Sequence, residues 1–227
     1  MRVLPVSFYD RPTEQVAKDL IGKVLVRNAI SGGRQCRRAG VIVETEAYGH
    51  ADDPASHAYR GPTRRNAVMF GRVGCAYVYF TYGNHYCVNV SARSSDVAAA
   101  GAVLMRGIEP REGVDEMSKA RNIDDVQLLT SGPGRLTQAL GITLFHNGLD
   151  MTDPASGLWI EDGDRREAVA TARVGITRAT DRMWRFVDPS SAFISRKLRA
   201  TSASLGVKTS SLTGFLLDSG SRRRWNA

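Results

Sequence analysis

In the stretch VIVETEAYGHADDPASH, residues 41–57, an apolar run ends in two carboxylates spaced by one residue, Glu44 and Glu46. In an extended strand alternate side chains share a face, so the two would project together. Side by side they repel, and burial would raise the pKa of at least one, as suits a general base at a strand end. Tyr48 would stand near enough to stack or to hydrogen-bond. The plainer arrangement is a solvated strand end in which Glu44 pairs with an arginine, and the spacing by itself favours it. His57 follows in a polar loop with Ser56 and Tyr59, where a single histidine is more often a surface residue than a catalyst. No GxSxG turn is present to supply the nucleophile of a serine hydrolase. His50, Asp52, Asp53 and His57 match no established ligand spacing, so neither a metal nor a cofactor is expected.

A second group lies in AYVYFTYGNHYCVNV, residues 76–90. Tyr77 and Tyr79 share one face of a strand, whereas Tyr82 sits at the turn. An aromatic at a hairpin tip can wedge into a base step, and Tyr79 can be a platform for a base. Packing onto a core would explain the same aromatics. Arg60, Arg64, Arg65 and Arg72 precede them, and this framing by arginines brings nucleic-acid binding level with simple packing. Further on, SGPGR at a helix start offers free backbone N–H groups and Arg135 to a phosphate. It lacks the lysine and spacing of a nucleotide-binding P-loop, and an ordinary helix cap explains it more simply.

The elements that must position these groups are legible in outline. Residues 12–26 open with Pro-Thr and set Val16, Ala17, Leu20 and Ile21 at helical spacing, which predicts a short amphipathic helix ended by Gly22. Strands are expected at 23–28 and 38–46 around the SGGRQ turn, and a β-hairpin at 77–82 and 86–90 around Gly83-Asn84. Residues 50–62 read as a polar loop. The apolar run 98–105 suits a central strand ending at Arg106, and 130–140 a helix capped by Ser131, with Pro133 in its first turn and Gly141 as its stop. Late strands are expected at 158–161, 170–176 and 185–187. Strands and helices mix without a βαβ rhythm, so the class is α+β around a curved, mostly antiparallel sheet surrounded by helices, with a protruding hairpin.

A chain of 227 residues can bury a full core, and one domain is expected over 1–199. The remainder, 200–227, is rich in Ser, Thr and Gly and closes on three arginines, like a flexible or loosely docked basic tail. With 31 Lys and Arg against 23 Asp and Glu, the net charge of +8 favours a polyanionic partner. Cys36, Cys75 and Cys87 show no zinc spacing and read as reduced thiols of a cytosolic protein. The N-terminus lacks an unbroken signal-peptide core, and the longest uncharged stretch, 73–92, carries too many turn residues for a membrane span.

Taken in order, VETEAY, DPASHAYRGPTRRNAVMF, YVYFTYGNHYCVNV, VLMRGIEPREG, SGPGRLTQALGI and ARVGIT closely resemble the alkyladenine (3-methyladenine) DNA glycosylase family, with similarity from about residue 8 to about residue 196. The resemblance implies a single-domain, monomeric, monofunctional enzyme of base excision repair. It would flip alkylated, and also deaminated, purines out of double-stranded DNA and hydrolyse the N-glycosidic bond without a metal. By position, Glu46 matches the general base and Arg106 an arginine of the site near the water and the DNA backbone. Tyr48, His57 and Tyr79 match the residues enclosing the flipped base, Asn89 the residue crowding the amino group of normal guanine, and Tyr82 the intercalating residue. Asn84 departs from the methionine of many relatives. Arg64, Arg65 and Arg135 are the expected backbone contacts. The alternative class is a noncatalytic DNA- or RNA-binding protein on the same scaffold, and a weaker one is a glycosidase or nucleosidase acting on small molecules.

Overall fold

The sheet is built around one long strand, β2 (Arg34–Tyr48). In the computed structural model, which describes residues 2–198 apart from 32, 82 and 94–99, β2 has a partner on each edge. Strand β1 (Val24–Ser31) pairs with its first half, Arg34 to Val41, and β8 (Arg185–Val187) takes over opposite Glu44–Glu46. Along the other edge runs β5 (Ala102–Glu112). Outside β5 lie β4 (His85–Ser91) and then β3 (Ala76–Thr81), outside β1 lies β6 (Leu158–Glu161), and β7 (Val169–Thr171) pairs with β8. Every one of these pairings is antiparallel. The result is the expected α+β class with a curled antiparallel sheet.

Curling has a local cause. The β2–β5 register shifts between Ala39 and Gly40, between Ile42 and Glu44, and between Glu44 and Thr45. Such irregularities bend a strand, raise its twist and re-aim its side chains. Ile42 joins the main core although its parity matches that of Glu44 and Glu46. Past the shift, Thr45 donates its hydroxyl to the Ala17 carbonyl of α2 (Thr13–Asp19), while the two glutamates face the other way, toward Arg106. The shared face expected for the two carboxylates is therefore present.

The helix predicted to end at Gly22 is α2, preceded by α1 (Val6–Tyr9); Val16, Ala17, Leu20 and Ile21 are buried, and Gly22, at φ +90°, turns the chain into β1. Four short helices that the sequence reading passed over are α1, α3 (Ala67–Phe70), α4 (Val114–Arg121) and α5 (Val126–Leu129); each buries one residue, which leaves no periodicity to find. Helix α6 (Pro133–Leu140) packs Leu136, Ala139 and Leu140 into the core and ends at left-handed Gly141. Its N-cap is Gly132 rather than Ser131, whose hydroxyl accepts from Arg135 instead.

Two further expectations change. The central strand does not stop at Arg106 but continues to Glu112, because Pro110 sits opposite Gly40 at a register shift, where a missing N–H is tolerated. Residues 98 and 99 of that prediction lie outside the described residues. Strand β7 ends at Thr171 rather than at 176, since the chain leaves the sheet to carry Arg173 and Val174 to the site. Strands β3 and β4 pair down to Thr81 and His85, but Tyr82 at their connection lies outside the described residues, as does the tail 200–227. Residues up to Lys197 form one compact unit. Cys36, Cys75 and Cys87 are all free thiols, the last one buried. Among the described residues no helix is long and apolar enough to cross a membrane.

Candidate active site

The end of β2 carries Glu46 into a completely buried position. Three donors hold its carboxylate: the Tyr48 hydroxyl (2.8 Å) and Arg106 Nη1 (3.3 Å) on Oε2, and the Val174 backbone N–H (2.7 Å) on Oε1. Tyr48, Arg106 and Val174 all line a cavity of ≈ 230 Å³, so the carboxylate sits directly behind that wall. Burial, and next the Glu46 charge, push the Tyr48 phenol far above its usual range, which keeps it protonated and donating. Burial by itself would lower the Arg106 guanidinium, yet Glu46 and Glu44 outweigh it and raise it. The two carboxylates therefore do not face each other bare. Arg106 spans both, with Nε on Glu44 Oε1 at 3.2 Å.

The aromatic wall comes from β3 and the loop after β2. The rings of His57 and Tyr79 meet edge-on with centroids 4.7 Å apart, and Tyr77 and Tyr79 lie at 5.3 Å. His57 Nδ1 shares a hydrogen bond of 2.9 Å with the Tyr77 hydroxyl. Partial burial of the ring, followed by the charge of Arg65, pushes the His57 imidazole down, so it is neutral at pH 7. Burial pushes Tyr77 up to about 12. Asn89 lines the same cavity and gives Nδ2 to the Tyr77 carbonyl at 2.9 Å. The floor and rim are completed by groups that carried no signal of their own in the sequence, among them Met69, Cys87, Leu104 and Pro133.

The loop bearing His57 is tied down by a fully buried ion pair. Asp53 accepts 2.7 Å bonds from both terminal nitrogens of Arg173, plus the N–H groups of Gly49 (3.0 Å) and Ala55 (3.3 Å). Arg173 also donates to the Ala47 carbonyl and places its guanidinium 4.8 Å from the centre of the Tyr48 ring. Asp52, by contrast, makes an exposed pair with Arg182. Sequence reasoning missed Arg173, although it lies in the quoted ARVGIT, because nothing in one chain says which acid will meet it.

The structure thus brings Glu46, Tyr48, His57, Tyr79, Asn89 and Arg106 together around one cavity. Arg64 is exposed, and exposed Arg65 lies 5.0 Å over the Tyr79 ring, beside the pocket. Arg135 is exposed in the first turn of α6 and donates to Ser131. Tyr82 lies outside the described residues. No three His, Cys, Asp or Glu side chains among the described residues converge on a metal-sized site.

Residues 7–192 match the model of a family described as methylpurine-DNA glycosylase. The chain is 46% identical over 201 residues to a protein of Methanoculleus marisnigri, covering 86% of this chain and 99% of that one. It is 45% identical over 188 residues to one of Rhodopseudomonas palustris strain HaA2, covering 83% and 88%. A protein of Nitrobacter winogradskyi is 42% identical over 194 residues, covering 86% and 88%. All three are named for 3-methyladenine DNA glycosylase activity.

Proposed function

The chain belongs to the methylpurine-DNA glycosylase family, hydrolases of DNA repair that act on N-glycosyl bonds, and on that footing we propose that it flips a damaged purine from duplex DNA into the cavity and excises it. The observation that carries this is the buried Glu46 carboxylate, whose three hydrogen-bond donors all line the pocket. Water approaching between them loses a proton to Glu46 and adds to the sugar C1′ as the C1′–N bond breaks. The products are a free base and an abasic site on an unbroken strand. The transition state resembles an oxocarbenium ion, and a carboxylate beside it offsets the developing charge as well as taking the proton.

Tyr48, His57 and Tyr79 enclose the flipped base. An alkylated purine is a cation while it is attached to the sugar and leaves as a neutral base, and each electron-rich ring over that cation contributes about 0.5–2 kcal/mol. A neutral His57 fits this, since a charged imidazole would repel the cationic base. Asn89 crowds the exocyclic amino group of normal guanine. Arg64, Arg65 and Arg135 meet phosphates, so affinity falls steeply with salt. The catalytic domain is 1–199, and it works as a monomer in the cytoplasm at the nucleoid.

Flipping costs a few kcal/mol, least at damaged pairs. Tyr82 offsets part of it by filling the gap, so Tyr82→Ala is expected to weaken binding to lesion duplex by about 1–3 kcal/mol, read by fluorescence anisotropy, with the chemistry retained. Unchanged affinity would make Tyr82 merely structural. The functional assignment itself is tested on duplexes each carrying one lesion, 3-methyladenine, 7-methylguanine, hypoxanthine or ethenoadenine, scored for abasic sites. Alkylated bases are expected to be released fastest, because they leave without needing a proton. Binding to every duplex with no release would mean a noncatalytic protein.

A further inference from the structure

Glu44 is as completely buried as Glu46, and its carboxylate accepts four hydrogen bonds, one of them from the same Arg106 that binds Glu46. Its Oε1 accepts from Arg185 Nε (2.7 Å), Arg106 Nε (3.2 Å) and the Ser195 hydroxyl (2.9 Å), and its Oε2 accepts from the Ser195 N–H (2.5 Å). Arg106 closes the loop by donating Nη2 to Ser195 Oγ at 3.2 Å. Arg185 Nη2 binds the Arg196 carbonyl at 2.6 Å, and a Cβ on Gly107 would stand 2.6 Å from the Phe193 carbonyl. Residues 193–196 therefore lie directly on the network, beyond the residues that match the family model.

We propose that Glu44 and Ser195 are positioning residues that fix the Arg106 guanidinium between the two glutamates, so that only one of its three nitrogens, Nη1, is given to Glu46. The proposal rests on Glu46 being the base. A carboxylate that took the full charge of Arg106 would be a weak base, whereas one with no cation would not stay ionised in a buried site. Dividing Arg106 between Glu44, Glu46 and Ser195 gives Glu46 a counter-charge without committing the whole guanidinium to it. The charged and titratable groups facing Glu46 are Glu44 and Tyr48 from β2, Cys87 from β4, Arg106 from β5 and Arg173 from the loop after β7; of these, Glu44 is the one like charge.

The test is single-turnover base release from methylated DNA, whose cationic bases need no acid, read beside equilibrium binding to the same duplex. Glu44→Gln keeps the shape and removes the charge. With no carboxylate at position 44 to share it, Arg106 gives its whole charge to Glu46 and weakens it as a base, so release is expected to fall about tenfold at unchanged lesion affinity. Ser195→Ala keeps the charge and removes the bridging hydroxyl; it is expected to slow release several-fold at unchanged lesion affinity, with Ser195→Thr restoring the rate. A folded Glu44→Gln that releases base at the wild-type rate, or that loses release and binding equally, overturns the proposal. If that variant does not fold, the serine pair decides: wild-type rates in Ser195→Ala overturn it, and loss rescued by threonine upholds it. A wild-type chain that releases no base would sink the functional reading and this inference together, while an active wild type whose Glu44→Gln variant keeps its rate sinks this inference alone.

Discussion

Glu46→Gln is expected to slow base release by about 10²–10⁴-fold, the usual worth of a positioned general base, while binding to lesion DNA stays nearly intact. The site's geometry limits the collateral damage. Arg106 retains Glu44 and Ser195 as partners, so removing the Glu46 charge does not strand a buried cation. Tyr48 keeps an acceptor if the glutamine oxygen takes the place of Oε2, although its amide must then face the Val174 N–H. The measurement is paired: single-turnover release and equilibrium binding on the same lesion duplex. Turnover within a few-fold of wild type would remove Glu46 from the chemistry. Equal losses of release and of binding would make it a scaffold residue.

Asp53→Ala should have the largest effect on stability. The pair with Arg173 is fully buried on both sides, and deleting one member of such a pair strands the other, at about 3–5 kcal/mol. For a domain of this size that is a fall in Tm of about 6–20 °C at neutral pH. The pH dependence follows from the Asp53 carboxyl. Burial would raise it, but the hydrogen bonds from Arg173 and Gly49 outweigh burial and hold it below its ordinary value. A depressed folded-state pKa means that the stability is fully present above the unfolded value, about 3.9, and is lost as pH falls through the folded one. The gap in Tm between wild type and variant is therefore expected to be full at pH 7 and to shrink below about pH 4. A gap that is absent at pH 7, or that does not change with pH, would show that the ion pair contributes nothing. Because the same pair anchors the loop of His57 and flanks Tyr48, base release should fall as well.

What could be read from the sequence was what local chemistry dictates. Alternation put Glu44 and Glu46 on one face, the Pro-Thr opening and Gly22 bounded the first helix, and alternating aromatics gave β3 and β4. Motifs in the right order then indicated which side chains share a pocket. Long-range pairing was not legible. Arg173 meets Asp53 across 120 residues and Ser195 meets Glu44 across 151, and no spacing rule connects them. Elements with a single buried residue were missed for a related reason: helices such as α4 and α5 owe their place to packing and carry too little periodicity of their own. The Gly132 cap was misassigned to Ser131 because both residue types suit that position, and the Gly107–Ser131 bridge that occupies Ser131 is itself tertiary.

The central claim is that this pocket hydrolyses an N-glycosidic bond and leaves the DNA strand whole. The most direct test is mass spectrometry of both products after incubation with a duplex carrying a single 7-methylguanine. The account predicts free 7-methylguanine together with a full-length strand that has lost that base and gained one water at the sugar. An unchanged duplex, or a strand broken at the lesion with no free base, would contradict it.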